Sequence, residues 1–299
     1  MRTDHRRAFA ALTAAGLLWG TTVPLSKLAL EWLPPGWLTC ARFTAAAVIL
    51  LAVLPRPAVR AACTPRLLAS GAIGYGGSVL LQNAGLARTS VTQGALLFGV
   101  TPVLVAIIAA VWHRAIARPA AWAGFALSLA GVALVTGGSA IAGGAGGGSA
   151  AGDLEVLASL LVSAGLIVAQ PGLLRGRDPI AVTAVQFTGA ALASLAFSAA
   201  TEGLPPVTGH PGPALAVAGL VLAGTLAPFA LFAYGQSRVS AVVAGAFVNI
   251  EPLVGAVAGV VLFGNPAGPA QLIGGTAIVA GIALSSLPLL RTSRSPVPS

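Results

Sequence analysis

Ten continuous apolar stretches, each roughly 19 to 25 residues long, restrict this chain more than any other feature. An α-helix needs about that length to cross a hydrocarbon core about 30 Å thick. The stretches run approximately over 9–31, 36–54, 67–87, 91–112, 119–137, 154–174, 179–200, 214–236, 239–263 and 267–290. They are continuous rather than alternating, and lipid offers no partner to an open sheet edge, so helices are favoured over a β-barrel. A soluble helical bundle would need polar faces and about a quarter of its residues charged. Here 8% are charged and 57% are hydrophobic, so the expected class is an all-α integral membrane protein.

The net charge of +9 raises the question of nucleic acid, and its distribution answers it. With the N-terminus in the cytoplasm, Arg2, Arg6, Arg7, Arg56, Arg60, Arg66, Arg114, Arg118, Arg175, Arg177, Arg238, Arg291 and Arg294 all fall on the cytoplasmic side. Arg88 falls in an outer loop, and Glu31, Asp153, Glu155 and Glu202 lie outside. That asymmetry is the positive-inside pattern, which predicts cytoplasmic termini, a lipid bilayer as the partner of the surface, and no nucleic acid. The bias towards Ala, Gly and Arg suits a GC-rich bacterial genome and so a bacterial plasma (inner) membrane. Met1 to Lys27 begins like a signal peptide but lacks a small-residue cleavage site, and is expected to be retained as the first span. Cys40 and Cys63 stand at opposite ends of the second span, too far apart for a disulfide.

The chain repeats itself. A shift of 150 residues places Gly85, Arg88, Ser90, Pro102, Pro119, Gly124, Gly131 and Leu134 on Gly235, Arg238, Ser240, Pro252, Pro269, Gly274, Gly281 and Leu284. A shift of 144 places Arg42-Phe43-Thr44 on Gln186-Phe187-Thr188, with the difference absorbed around Leu204 to Pro213. Five spans per half is an odd number, so the second half enters the membrane inverted, as in transporters whose site lies between the halves. The predicted fold is therefore ten transmembrane helices as two inverted five-helix repeats, residues 1–137 and 154–290, joined by a Gly-rich linker over 138–153 and followed by a cytoplasmic tail, 291–299. The run Gly143-Gly144-Ala145-Gly146-Gly147-Gly148-Ser149 lacks the Lys-Ser/Thr that would follow in a phosphate cradle, so it reads as a flexible joint.

Charge within hydrocarbon is costly and points to function. Lys27 and Arg42 lie within snorkelling distance of the outer ends of their spans, whereas Glu251 lies about 18 Å from both ends of its own. Glu251 serves either substrate or proton binding, or interhelical glue through Lys27, Arg42 or a hydrogen-bonding neighbour. Prolines interrupt the spans at Pro24, Pro102, Pro171, Pro228 and Pro252, and those at Pro102 and Pro252 would free the Phe98 and Val248 carbonyls at symmetric positions beside Thr101 and Glu251. Trp19, Thr22, Tyr75, Gln82, Asn83, Phe98, Gln170, Gln186, Tyr234, Gln236 and Asn249 lie at similar depth and are candidates to line a substrate cavity with Lys27, Arg42 and Glu251. Trp32, Trp37, Trp112 and Trp122 sit at span ends, where interface anchors belong. Small-residue stripes such as Gly124 to Ser128 and Gly255 to Gly259 permit close helix contact within the chain and also admit a homodimer face.

Leu18-Trp19-Gly20-Thr21-Thr22 with Lys27 after it, Arg42 in the second span, Pro102 in the fourth, Glu251-Pro252 in the ninth and Gly274 to Gly281 in the tenth together make the chain resemble the EamA-type family of the drug/metabolite transporter superfamily. The resemblance spans roughly Ala10 to Leu290 and implies a ten-span carrier, with exporters of amino acids and other small metabolites among its relatives. Trp112-His113-Arg114 and Phe263-Gly264-Asn265 stand where that family closes its fourth and ninth spans with a Gly-Glu pair, so no role of those acids carries over.

The function expected is a secondary transporter of a small polar metabolite, an amino acid or related compound, working by alternating access, with export the direction that the resemblance implies. No Walker-type loop is present, so coupling to protons or simple exchange remains. An intramembrane enzyme would need a nucleophile with a base, or a metal cluster, yet His5, His113 and His210 are scattered and no His-Glu-x-x-His or Gly-x-Ser-x-Gly pattern occurs. No catalytic residue, metal or cofactor is therefore expected. A channel is the third reading.

Overall fold

The computed structural model describes residues 2–88, 97–114, 119–143, 150–206, 210–248, 250–252, 254 and 269–292. All regular structure among them is helical. The first half contains α1 (Arg2–Trp19), α2 (Thr22–Leu30), α3 (Pro35–Val53), α4 (Arg56–Ala62) and α5 (Pro65–Gly71). A π-helical segment π1 (Ala72–Gly77) leads from α5 into α6 (Ser78–Arg88), followed by α7 (Thr101–His113) and α8 (Pro119–Gly143). The second half contains α9 (Ala150–Leu174), α10 (Pro179–Thr201), α11 (Pro211–Val221), a second π-helical segment π2 (Leu222–Leu226), α12 (Ala227–Gln236), α13 (Ala241–Phe247) and α14 (Pro269–Thr292). Five stretches are long and apolar enough to cross a membrane: Asp4–Leu30, Pro35–Val53, Ala150–Leu174, Pro179–Thr201 and Pro211–Gln236. Thr101–Trp112, Ala241–Pro252 and Leu272–Gly281 are shorter apolar helices.

Local sequence explains where the helices begin. Thr64 and Asp178 accept hydrogen bonds from Leu67 N (3.3 Å) and Ala181 N (2.8 Å), each followed by a proline whose missing N–H costs nothing in the first turn. α3 opens on Pro35, and its first amides are capped from afar, Gly36 N and Trp37 N donating to the Glu202 carboxylate at 2.8 and 3.0 Å. Of the prolines expected to interrupt spans, Pro102 lies in the first turn of α7, and Pro24 is the third residue of α2, after a break at Gly20 and Thr21. Pro228 follows π2 within the continuous helical stretch Pro211–Gln236, and Pro171 sits inside α9.

Side-chain contacts obey the internal repeat. Gly85 of α6 abuts Gly152 and Val156 of α9, and its equivalent Gly235 of α12 abuts Ala8 and Leu12 of α1. Gly131 of α8 meets Gly274 of α14, while Gly281 of α14 meets Gly124 of α8. Those four glycines exchange under the 150-residue shift, and the pairing runs antiparallel. Ser128 Oγ, donating to its own equivalent Ile278 O at 3.4 Å, marks the crossing point. The main core joins the halves: Phe43, Ala46 and Leu50 of α3 and Tyr75 of π1 pack with Leu173 of α9, Phe187 and Ala190 of α10, and Ala233 of α12.

The two π-helical segments are equivalent as well, and here the halves diverge. Along α5 and π1, Gly71 lies against the Gln186 backbone and Gly189 of α10 against the Leu68 backbone, so that an added Cβ at either would collide with main chain. The equivalent positions on α11 and α3 carry Val221 and Ala45. That second seam is bridged by a side chain: Arg42 Nε donates to Thr225 Oγ1 at 3.0 Å and Nη2 to Gly224 O at 3.1 Å, both acceptors lying in π2.

Candidate functional site

A cavity of about 90 Å³ lies where the halves meet. One water needs about 10 to 15 Å³ of such space, so a compact solute fits. Trp19 at the end of α1, Thr22 of α2 and Arg42 of α3 form one wall. Tyr75 of π1, Ser78 and Gln82 of α6, and Phe98 and Thr101 at the start of α7 form a second. The other half contributes Leu160, Ser163, Leu166 and Ile167 of α9, Phe229, Phe232 and Gln236 of α12, and Val248 and Glu251 beyond α13. Many of these are repeat partners: Trp19 with Ser163, Thr22 with Leu166, Val79 with Phe229, Gln82 with Phe232, Phe98 with Val248, and Thr101 with Glu251. The shell is symmetric and its chemistry is not.

The charged corner is built from three helices. Glu251 Oε1 accepts from Thr22 Oγ1 at 3.3 Å, and that hydroxyl also donates back to Trp19 O at 2.6 Å. Arg42 and Glu251 attract one another electrostatically. Arg42 is 3% exposed, with two of its nitrogens held by π2 and its third, Nη1, without a hydrogen-bond partner. The Thr101 hydroxyl, also buried, likewise lacks a partner. Aromatic rings also line the cavity. Trp19 lies 5.0 Å from both Phe229 and Phe232, and Tyr75 lies 4.7 Å from Phe229, spacings at which ring edges meet ring faces.

Of the residues singled out in the sequence, Trp19, Thr22, Arg42, Tyr75, Gln82, Phe98, Gln236 and Glu251 come together in this cavity. Lys27, Asn83, Gln170, Gln186 and Tyr234 are not in its wall. Asn83 is buried between helices and donates to Thr39 Oγ1 at 3.0 Å. Gln170 and Gln186 form a reciprocal amide pair, each donating to the other at 2.9 Å, with Gln186 also donating to Ser70 Oγ and Gln170 to the Tyr75 hydroxyl. Tyr234 carries the Arg238 guanidinium 3.6 Å above its ring. Asn249, the Gly255 to Gly259 stripe, Phe263-Gly264-Asn265 and the linker core Gly144 to Ser149 lie outside the described residues.

Ser78, Ser163, Phe229 and Phe232 are cavity residues that reading by depth missed. Ser78 and Ser163 share a hydrogen bond at 2.5 Å across the halves. Repeat equivalence would have found two of them, because Ser163 and Phe232 are the partners of Trp19 and Gln82, both singled out in the sequence.

Residues 7–137 and 150–287 each match the model of one family, described as the EamA-like transporter family. Among solved structures, one titled only "Crystal structure of protein" superposes with a TM-score of 0.79 at 23% identity, covering 99% of this chain and 100% of that one. That likeness is one of fold. None of the curated proteins matches the sequence.

Proposed function

This chain belongs to the EamA-like transporter family, and from that premise we propose that it is a secondary carrier of ten spans in two inverted five-helix units, moving a small polar metabolite by alternating access. The substrate class proposed is an amino acid or related compound, carried outward across a bacterial inner membrane. The observation that supports the reading most is the cavity between the halves, with Arg42 and Glu251 in its wall. Ionisable groups inside a membrane protein are expensive and are kept where a solute or ion passes. The antiparallel, shift-exchanged glycine contacts of α8 and α14 support the inverted arrangement, since a two-fold axis pairs each contact with its equivalent. Without a nucleotide-binding loop, the driving force is an ion gradient or exchange, and Glu251 is the acid placed to bind a proton on the way.

The test is flux through purified protein in proteoliposomes, with a panel of labelled amino acids. Saturable uptake stimulated by the same solute on the far side is the expected result. Unsaturable single-channel current would replace the carrier by a channel.

Orientation has its own test in the native cysteines. Cys63, between α4 and α5, is exposed and Cys40 is buried. An impermeant maleimide is expected to label Cys63 from the cytoplasmic side alone and to spare Cys40. A cysteine placed at Leu204, which is 93% exposed, should react from the outside alone. The opposite pattern would reverse the proposed topology.

A further inference from the structure

Resting on the carrier reading, we infer that Arg42 is the specificity residue for a carboxylate, so that the cavity selects zwitterions whose carboxylate takes Nη1 and whose ammonium group takes Glu251. The guanidinium is fixed before any solute arrives, because Nε and Nη2 are committed to Thr225 Oγ1 and Gly224 O. What remains is one N–H-bearing nitrogen, buried, unpartnered and belonging to a residue of the cavity wall. Leaving a buried charged donor unsatisfied is costly, and a carboxylate is the acceptor that best repays it, since charge-assisted bonds are the strong ones. Because the fork is already held, little side-chain freedom is lost when that bond forms.

The second polar end of the corner narrows the solute further. A simple carboxylate anion would satisfy Arg42 but bring Glu251 no donor beyond Thr22. A zwitterion satisfies both ends. Glu251 has acceptor capacity beyond the single bond from Thr22, as a carboxylate offers about four lone-pair sites. An amine without a carboxylate would leave Arg42 Nη1 without an acceptor. Both lose a partner that the zwitterion keeps.

The experiment is competition in proteoliposomes. Counterflow of a labelled mixture of the twenty standard amino acids is inhibited with each unlabelled amino acid and with its amino alcohol, which lacks only the carboxylate. In the unmodified protein the acids should compete about tenfold or more better than their alcohols, as loss of one charge-assisted bond implies. Arg42→Gln, which can still bond to Thr225, should bring that ratio close to one, and Arg42→Lys should recover part of it. Equal competition by acids and alcohols in the unmodified protein overturns the assignment whether or not either variant folds, as does a tenfold preference surviving in Arg42→Gln. Saturable flux without carboxylate preference rejects the role of Arg42 and leaves the carrier standing, whereas no flux of any amino acid rejects both.

Discussion

Replacing Glu251 by glutamine should leave folded protein in the membrane and lower flux by about tenfold or more, or abolish its dependence on pH. The size follows from losing a charge-assisted bond to the solute, worth roughly 1.5 to 3 kcal/mol. Glutamine keeps the shape of the side chain and the acceptor for Thr22 Oγ1, so the link from α2 survives. What it loses is the capacity to ionise, and with it both the attraction to Arg42 and any proton carried through the cavity. If Glu251 were only glue between helices, the same change would lower the melting temperature while the surviving protein transported normally. Thermal unfolding and flux measured on one preparation separate the two. Normal flux with unchanged pH dependence would reject the functional role.

The second large effect is expected at the close seam between α5 and α10. Gly189→Val places a branched side chain where the Leu68 main chain already lies, and neither helix has a flexible end there to move aside. Overpacking of this kind costs about 1 to 3 kcal/mol, and valine's branching puts this substitution at the upper end. The separation should also strain the Gln186 bond to Ser70 across the same seam. Gly172→Ala is the control: it sits in α9 with nothing within 4 Å of an added Cβ, so it should be neutral or stabilise by up to about 1 kcal/mol. Equal melting temperatures for the two variants would show that the seam is looser than its glycines suggest.

These residues also mark how far sequence reading reaches. The repeat and the apolar stretches over Asp4–Leu30, Pro35–Val53, Ala150–Leu174, Pro179–Thr201 and Pro211–Gln236 were legible because each depends on position along the chain. Trp19 and Glu251 stood out because an indole or a charge at mid-depth is rare among alanines and leucines, and Arg42 because a charge within an apolar span is rare at any depth. Rotation about each helix axis was not legible. Lipid and protein interior are both apolar, so no polar face tells which side of a span looks inward. That is why Gln170 and Gln186 seemed to belong to the cavity, although they face one another between α9 and α10. It is also why Phe229 and Phe232 went unnoticed among other apolar residues. The π-helical segments were illegible for a different reason. They are one-turn changes in hydrogen-bond pattern, and neither contains a proline; π1 is flagged only by its glycines.

The unequal seams bear on which side of the proposed carrier gives way more readily. Main chain touches main chain along α5 and α10, whereas α3 meets the second half through side chains, Arg42 reaching π2 and Leu38 packing with Ala216 and Leu220 of α11. Two gates built on the same plan therefore close with unequal grip, one as a weld and the other as a latch. If the protein cycles by the alternating access proposed above, the side-chain seam is expected to part more readily than the main-chain one. In the proposed topology that seam lies on the outer side, so solute supplied outside is expected to speed counterflow.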